Sequence, residues 1–203
     1  MDRKTDEGRR VVQIHAAFVA GDLVALRAAV GDPAVIPNGQ MPPAIGPCLT
    51  YAIYHSPLAF VRTMLELGAD ATADDPAGFP PLIAALSTGR QTPGAMTRSD
   101  VAELVELLLA FGADPDQRGV NDYTALHMAV AEGDTEAVAL LLAAAADPHL
   151  RTRIDDRETP REMAIAMGNA GMATMLAAAE ARLNGGAGLP DTTGPAATGR
   201  DAG

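Results

Sequence analysis

Apolar residues recur along this chain in short helical patterns separated by glycine- and aspartate-containing turns. The segment 124–149, TALHMAVAEGDTEAVALLLAAAADPH, is interrupted by polar residues chiefly at Glu132–Gly133–Asp134. One long buried helix, a membrane span and two short packed helices could each give such a run. Gly133 lies where a short first helix should end, because glycine adopts the left-handed conformation that closes a helix. We therefore predict helices over 124–131 and 135–145, which are too short to be stable without neighbours.

The same pattern recurs along the chain. Three amphipathic segments end similarly, as LELGAD (65–70), LAFGAD (109–114) and LAAAAD (142–147). A second kind of segment starts near residues 12, 47, 80, 124 and 159, with spacings of 35, 33, 44 and 35 residues. These segments read VQIHAAF, PCLTYAI, PPLIAAL, TALHMAV and TPREMAI. A glycine follows nine residues after four of the five starts, and Ser56 takes its place in the second unit. The pattern predicts five similar helix pairs.

These segments resemble the ankyrin repeat, which begins with T-P-L-H-x-A, turns at a glycine and ends at G-A-D. TALHMA and TPREMA are the closest matches, and GAD occurs intact twice. The resemblance implies an all-α fold, an ankyrin-repeat solenoid of paired antiparallel helices joined by β-turn or hairpin loops. We expect this domain at 11–182, between a charged N-terminal segment at 1–10 and a disordered Gly/Pro-rich tail at 183–203.

Within each unit the residue types suit this architecture. Thr124 and Thr159 can cap helices, and Pro160 suits a first helical turn. Alanine at the sixth position of every unit lets neighbouring helices approach closely. No unit can bury its own apolar face, so stability is expected to be a sum over neighbouring units. The resemblance further implies that His15 and His127 form structural hydrogen bonds between turns.

Three departures from the pattern are informative. The third unit is too long, which places an insertion at about 91–101 between its two helices, with Ser99 or Asp100 capping the second helix. This insertion is either a tolerated surface loop or a loop that contacts a partner. The last unit has Arg161 and Glu162 where an apolar residue and histidine are usual, as expected of a terminal unit. The first unit resembles a degenerate cap followed by an irregular linker.

Charge and composition restrict the partner. The chain has 203 residues, 48% of them hydrophobic, with a net charge of −11. Nucleic acids and anionic membranes are therefore disfavoured, and a protein with a basic or mixed surface is favoured. The charged N-terminus leads into no signal-like segment, and no run of 18 apolar residues occurs, so a cytoplasmic location is expected. The alanine- and glycine-rich composition suggests a bacterial source.

Catalytic chemistry is not expected. Cys48 is the single cysteine, which excludes an internal disulfide, and its spacing from His55 would hold the two side chains about 10 Å apart on a helix. The histidines are dispersed, and no CxxC, HExxH or phosphate-loop motif occurs. Aspartate pairs at 74–75 and 155–156 fall at turns, where solvated charge is ordinary. We predict no enzyme activity, no metal site and no cofactor.

The resemblance places a partner on the concave side of the solenoid. The fifth, eighth and ninth positions of each first helix should line this groove, and the residue before each helix should lie at its rim. These positions hold Tyr51, Tyr54 and His55, then Ala84, Ser87 and Thr88, then Met128, Ala131 and Glu132, with Phe79 and Tyr123 at the rim. Asp74, Asp75, Asp122 and Glu132 flank them.

Four of the seven aromatic residues fall on this predicted groove or its rim, whereas Phe18, Phe60 and Phe111 map to packing or near-packing positions. Tyrosine often dominates binding energy at protein interfaces. We therefore predict a protein-binding patch at units two to four. The alternative is that Phe79 and Tyr123 simply pack against adjacent turns.

Three functions remain open at this stage. The leading one is a non-catalytic interaction protein, monomeric when unbound, that acts as a scaffold, inhibitor or regulatory partner. The second is an accessory factor of an enzyme system, such as a maturation chaperone or an immunity protein that blocks a basic partner. An enzyme is possible only if the insertion conceals a site.

Overall fold

The computed structural model describes residues 3–39, 41–88, 98–154 and 157–186. Within these ranges the chain forms ten α-helices, two short 3₁₀ helices and no β-strand. The α-helices are α1 (Arg3–Ala20), α2 (Leu23–Val30), α3 (Cys48–His55), α4 (Leu58–Glu66), α5 (Pro81–Ser87), α6 (Val101–Ala110), α7 (Ala125–Glu132), α8 (Thr135–Ala143), α9 (Pro160–Ala166) and α10 (Ala170–Gly186). The 3₁₀ helices are Pro33–Val35 and Val120–Asp122. Gly89, most of the predicted insertion, Asp155–Asp156 and the tail from 187 onward lie outside the described residues.

The helices pair in chain order and stack in a line. Each consecutive pair, from α1 with α2 to α9 with α10, forms one unit. The first helices of successive units contact one another, α1 with α3, α3 with α5, α5 with α7 and α7 with α9. Among the second helices, α8 packs between α6 and α10. The predicted all-α solenoid is therefore confirmed, and the segment 124–149 contains the two separate helices α7 and α8.

Small and aliphatic residues at fixed positions fill the space between units. The sixth-position alanines are at most 3% exposed in all five units: Ala17, Ala52, Ala85, Ala129 and Ala164. The seventh position is also buried in the first four units, by Phe18, Ile53, Leu86 and Val130. Burying such a side chain contributes about 2 kcal/mol. In the first unit Phe18 is covered by Tyr51 and Phe60 of the unit that follows, with ring centroids 5.0 and 5.9 Å away.

The C-terminal end of the stack shows what happens without a following unit. In the last unit the seventh-position residue, Ile165, is 58% exposed, and Met167 is 52% exposed. Arg161 forms an ion pair with Glu180 across this end, with Nη1 3.0 Å from Oε2. The predicted polar end is thus present at Arg161, but the end as a whole is partly apolar.

Other boundaries differ from the sequence-based expectation. Helix α1 begins at Arg3, within the charged segment, and α10 continues to Gly186, into the segment predicted to be disordered. The linker after α2 is irregular as predicted, yet it buries Ile36, Met41 and Ile45. Phe111, predicted to lie at or near a packing position, is 40% exposed because it follows the last residue of α6.

Capping boxes begin two of the first helices. In α9, Thr159 Oγ1 accepts a hydrogen bond from the Glu162 amide at 3.2 Å, and Glu162 Oε2 accepts one from the Thr159 amide at 2.8 Å. Thr124 and His127 form the same arrangement at α7. The predicted capping by both threonines is confirmed, and Glu162 performs in the last unit the capping done by His127 in the fourth.

A left-handed residue closes each second helix in units two to four. Gly68 has φ +90° and Gly112 has φ +88°, whereas Ala145 occupies the equivalent place in the fourth unit with φ +64°. A side chain with a Cβ atom is disfavoured in this conformation by about 1–2 kcal/mol. Ala145 therefore carries backbone strain that its two counterparts avoid.

We expect Ala145→Gly to stabilise the protein by about 1 kcal/mol, because glycine adopts this conformation without the steric cost. The reverse change, Gly112→Ala, has open space around its Cβ and should be destabilising by a similar amount through backbone strain alone. Urea denaturation of both variants measures the two effects. A destabilised Ala145→Gly protein would contradict this account.

Hydrogen bonds tie the extended turns of successive units to one another. The amide of Val120 donates to Gly78 O at 2.8 Å, and the amide of Arg153 donates to Asn121 O at 2.8 Å. In the linker of the first unit, Asn38 donates to Gly68 O at 2.7 Å and accepts from the Asp70 amide at 2.9 Å. The turns consequently form a continuous edge along the stack.

The end of the insertion is anchored by a buried arginine. The Arg98 side chain is 1% exposed, and its Nη1 donates to Ile53 O at 3.0 Å and to Ser56 O at 2.8 Å. Both carbonyls lie at the C-terminal end of α3, where positive charge is favourable. Asp100 occupies the N-cap position of α6, but its carboxylate accepts two hydrogen bonds from Arg98, and the predicted capping by its side chain is absent.

We expect Arg98→Ala to lower the free energy of unfolding by about 2–3 kcal/mol, because two carbonyls and a carboxylate lose a charged donor. Arg62→Ala, which removes an exposed arginine from α4, is the matched control and should change stability by less than about 0.5 kcal/mol. Urea denaturation provides the comparison. Equal effects of the two substitutions would show that Arg98 is not a structural anchor.

Candidate protein-binding surface

Six rings from the first two units form one aromatic cluster. Its members are His15, Phe18, Tyr51, Tyr54, His55 and Phe60. The Tyr51 ring centroid lies 4.3 Å from that of His55 and 5.0 Å from that of Phe18. Phe18 is fully buried, whereas the two tyrosines and His55 are partly exposed on α3. The cluster therefore joins the core of the stack to its surface.

The two tyrosines point toward different neighbouring units. Tyr51, at the fifth position of the second unit, shares a hydrogen bond of 2.8 Å with His15 Nδ1 of the first unit. Tyr54, at the eighth position, has its hydroxyl 2.9 Å from Ser87 Oγ of the third unit. Ser87 Oγ donates to Ala84 O at 2.9 Å, so Tyr54 is the donor to Ser87. Both rings are consequently held in place from their hydroxyl ends.

Burial keeps both phenols protonated. It raises the pKa of Tyr51 above its ordinary value. It also raises the pKa of Tyr54, where the hydrogen bond to Ser87 acts in the opposite direction and the negative charge of Asp75 adds to the increase. Both phenol groups therefore stay neutral at physiological pH, and the negative charge of Asp75 contributes to the raised pKa of Tyr54.

The predicted acidic rim lies in the turns and at the end of α7. Asp75 Oδ1 accepts the Ala77 amide at 2.9 Å, which closes a tight turn. Asp74 is exposed, and Gln117 Nε2 of the next turn lies 3.4 Å from its Oδ1. Asp122, with φ +61°, and Glu132, the last residue of α7, are partly exposed.

The rim aromatics Phe79 and Tyr123 are also partly buried and pack against the core. The Tyr123 ring lies 5.6 Å from that of His127. Each of these residues lies just before the N-cap residue of a first helix, Pro80 of α5 or Thr124 of α7. These contacts support the alternative that Phe79 and Tyr123 have a packing role, so their part in binding remains a prediction.

His127 beneath Tyr123 links two turns in the way that the resemblance implied. Its Nδ1 accepts from the Thr124 amide at 3.3 Å, and its Nε2 lies 3.2 Å from Glu158 O of the following turn. This pattern fits a neutral ring protonated on Nε2. Burial lowers the pKa of His127 to about 4. His15 differs, because its Nδ1 partner is the Tyr51 hydroxyl.

The prediction that Met128 lines an open groove is wrong. Met128 is 5% exposed, and Ala84, Ser87 and Thr88, assigned to the same groove, are at most 5% exposed. The physical reason is contact with neighbouring helices, because Tyr51 at a fifth position bonds to His15 and Ser87 at an eighth position bonds to Tyr54, each in the preceding unit. Sequence reasoning also missed His15 and Ser87 as partners of the tyrosines, although their equivalent repeat positions were a usable signal.

The arrangement offers little for catalysis. Burial raises the pKa of the Cys48 thiol to about 12, and its Sγ lies 3.8 Å from Met64 Sδ. Cys48 is therefore protonated and unreactive at neutral pH. Among the described residues, no three His, Cys, Asp or Glu side chains are placed to hold a metal ion. In the same part of the chain, no helix combines the length and apolar character needed to cross a membrane.

Comparison with known families agrees with this geometry. Residues 95–185 match a family model described as ankyrin repeats, in three copies. These residues are ankyrin repeats. The match covers α6 to α10, and the helix pairs before it stack in the same linear way. A search of curated proteins gives no match. Ankyrin repeats are generally protein–protein interaction modules and are typically non-catalytic.

The His127 link makes the stability of the ankyrin stack dependent on pH. The ring has a pKa of about 4 when folded against an ordinary value of 6.5, so between these values the unfolded chain binds a proton that the folded chain excludes. Stability is therefore complete above pH 6.5 and falls by about 3 kcal/mol as the pH decreases to 4.

We expect His127→Gln to remove most of this loss, so that the stability gap between wild type and variant narrows as the pH falls. Urea denaturation at several pH values between neutral and 4 measures the gap. His149→Gln, which removes an exposed histidine, is the control and should retain the wild-type slope. An unchanged slope in His127→Gln would contradict the assignment.

Proposed function

We propose that this chain is a non-catalytic protein-interaction module, a scaffold, inhibitor or regulatory partner, that binds another protein through the concave side of its second and third units. The observation that carries this proposal is the aromatic cluster at α3. Tyr51, Tyr54 and His55 are partly exposed there, in a chain with only seven aromatic residues. Tyrosines in such positions are frequent anchors of protein interfaces.

The rigidity of the cluster favours this role. Ordering a side chain on binding costs about 0.5–1.5 kcal/mol, and a ring that is already fixed avoids most of that cost. Tyr51 is fixed by His15 and Tyr54 by Ser87, each through its hydroxyl. The exposed parts of both rings are therefore ordered before a partner arrives.

Charge indicates the kind of partner. The net charge of −11 and the carboxylates Asp74, Asp75, Asp122 and Glu132 favour a protein with a basic or mixed surface over a nucleic acid or an anionic membrane. We further propose a cytoplasmic protein that is monomeric when unbound and uses no cofactor.

A second candidate is an accessory factor for an enzyme system, either a maturation chaperone or an immunity protein that blocks a basic partner. The turn at 70–79 favours it, because this turn carries three aspartates and neither lysine nor arginine. Such a one-signed surface suits a single strongly basic target and speeds the encounter with it.

The test begins with capture by the immobilised full chain and identification of what it retains, followed by affinity measurement with the purified partner. We expect the double variant Asp74→Asn/Asp75→Asn to weaken binding by about tenfold, since two charges near the interface are lost. Asparagine keeps both Oδ1 acceptors, so the turn should stay folded.

Glu103→Gln/Glu106→Gln on α6 makes the same change in net charge on exposed residues and should leave affinity unchanged. Equal weakening by the two double variants would overturn the assigned surface. The partner's own activity, measured with and without the chain, then separates the functions. Inhibition indicates an inhibitor or immunity protein, improved maturation indicates a chaperone, and no change indicates a scaffold.

A further inference from the structure

The C-terminal end of the stack exposes a surface that is buried between units elsewhere in the chain. The third and seventh positions of the first four units are each at most 3% exposed. In the last unit these positions hold Arg161 and Ile165, which are both exposed. The last unit differs in that no described unit follows it, so the third and seventh positions face the following unit.

The N-terminal end exposes the opposite face of a unit. The second position is buried in units two to five and is exposed only in the first unit, where it is Gln13. Ala16 at the fifth position of the first unit is also exposed, whereas Ala84, Met128 and Met163 at the fifth positions of units three to five are at most 7% exposed. These positions therefore face the preceding unit.

Contacts between the first two units show how such faces meet. Phe18, at a seventh position, lies against Tyr51 and Phe60 of the second unit, with ring centroids 5.0 and 5.9 Å away. Counted along the repeat, Ile165 is equivalent to Phe18. The residues of the first unit that are equivalent to Tyr51 and Phe60 are Ala16 and Ala25, and both are exposed. The chain thus carries both halves of one more unit-to-unit contact.

Each end also has an apolar groove between the two helices of its unit. The groove between α9 and α10 has a volume of about 410 Å³, and Ile165 and Ala173 belong to its lining. The groove between α1 and α2 has a volume of about 530 Å³, and Ala16 and Ala25 belong to its lining. A further helix pair would bury either groove, since helix pairs bury the equivalent faces within the chain.

Charge favours contact between opposite ends. Arg161 is the charged residue in the lining of the C-terminal groove, and its side chain is 44% exposed although it pairs with Glu180. Asp22 is the charged residue in the lining of the N-terminal groove. Contact between opposite ends brings these opposite charges together, whereas contact between two like ends brings together charges of the same sign.

We propose that the two ends bind each other between copies of this chain, head to tail, so that the first unit of one copy covers the last unit of another. In this contact Ile165 of one copy lies against Ala16 and Ala25 of the next, which continues the stacking present within each chain. The two surfaces differ, so each copy in a pair keeps one free end to which a further copy can add.

The contact is expected to be weak, because one helix pair against another is a small protein interface. We expect a dissociation constant of about 100 µM. The free chain is then monomeric at low micromolar concentration, in agreement with the proposed function. Copies join where they are concentrated, for example on a partner that binds several of them.

Sedimentation velocity of the full chain at about 5 to about 500 µM tests this inference. We expect the weight-average mass to rise from that of one chain to more than that of two, because an open head-to-tail contact does not stop at the dimer. Ile165→Glu and Ala25→Glu each place a carboxylate in the contact without a partner and should weaken self-association by about tenfold or more. Ala59→Glu, at an exposed residue of α4, is the matched control and should leave self-association unchanged.

A mixture of the two end variants distinguishes head-to-tail contact from the alternatives. Each variant keeps one intact end, so an equal mixture should form a dimer and nothing larger, while each variant alone stays monomeric. Ile165 and Ala25 are exposed, so both variants should fold, which circular dichroism verifies.

Three outcomes would overturn the inference. Self-association of either end variant alone would show contact between like ends or through another surface. Failure of the mixture to form a dimer would show that the two ends do not bind each other. A mass that stays at one chain throughout the concentration series would leave residues 187–203 or a different protein as what covers these ends.

Discussion

The structure depends on the burial of one helix pair by the next. The seventh-position side chain is buried in the first four units, and in the last unit, which no unit follows, Ile165 has 58% of its surface exposed. Stability in such a stack is a nearest-neighbour sum, so every surface position is defined by its relation to two adjacent units. Any binding surface is therefore built across units rather than within one.

That constraint explains what the sequence could predict. The repeat period and the spacing of apolar residues are set by the need of each unit to match its neighbours. The sequence therefore predicted the five helix pairs. It also predicted capping by Thr124 and Thr159 and the link made by His127. The burial of groove positions such as Met128 was not predictable, because spacing along one helix does not show which of its sides a neighbouring helix covers. Tyr51 contacts His15 of the preceding unit and is still partly exposed, whereas Met128 at the same position of its unit is only 5% exposed.

Interactions between residues that are far apart in the sequence could not be predicted from it. Arg98 lies in a segment with no repeat equivalent, and nothing local indicates that its guanidinium would meet two carbonyls at the end of α3. Its pairing with Asp100 also removes the carboxylate from the capping role expected at α6. Ala145 differs in kind, because its alignment with Gly68 and Gly112 was a signal in the sequence for the left-handed backbone that the structure shows.

The aromatic cluster shows how stability and recognition can share the same residues. Tyr51 and Tyr54 connect three consecutive units through His15 and Ser87, so removing either ring disturbs the stack as well as the surface. A loss of binding in an alanine variant would consequently mix two causes. The carboxylates beside the rings do not have this double role, since asparagine can keep the turn contact of Asp75 while removing its charge. Replacing an aspartate by asparagine, which removes the charge but keeps the shape, therefore separates effects on binding from effects on stability better than removing a ring does.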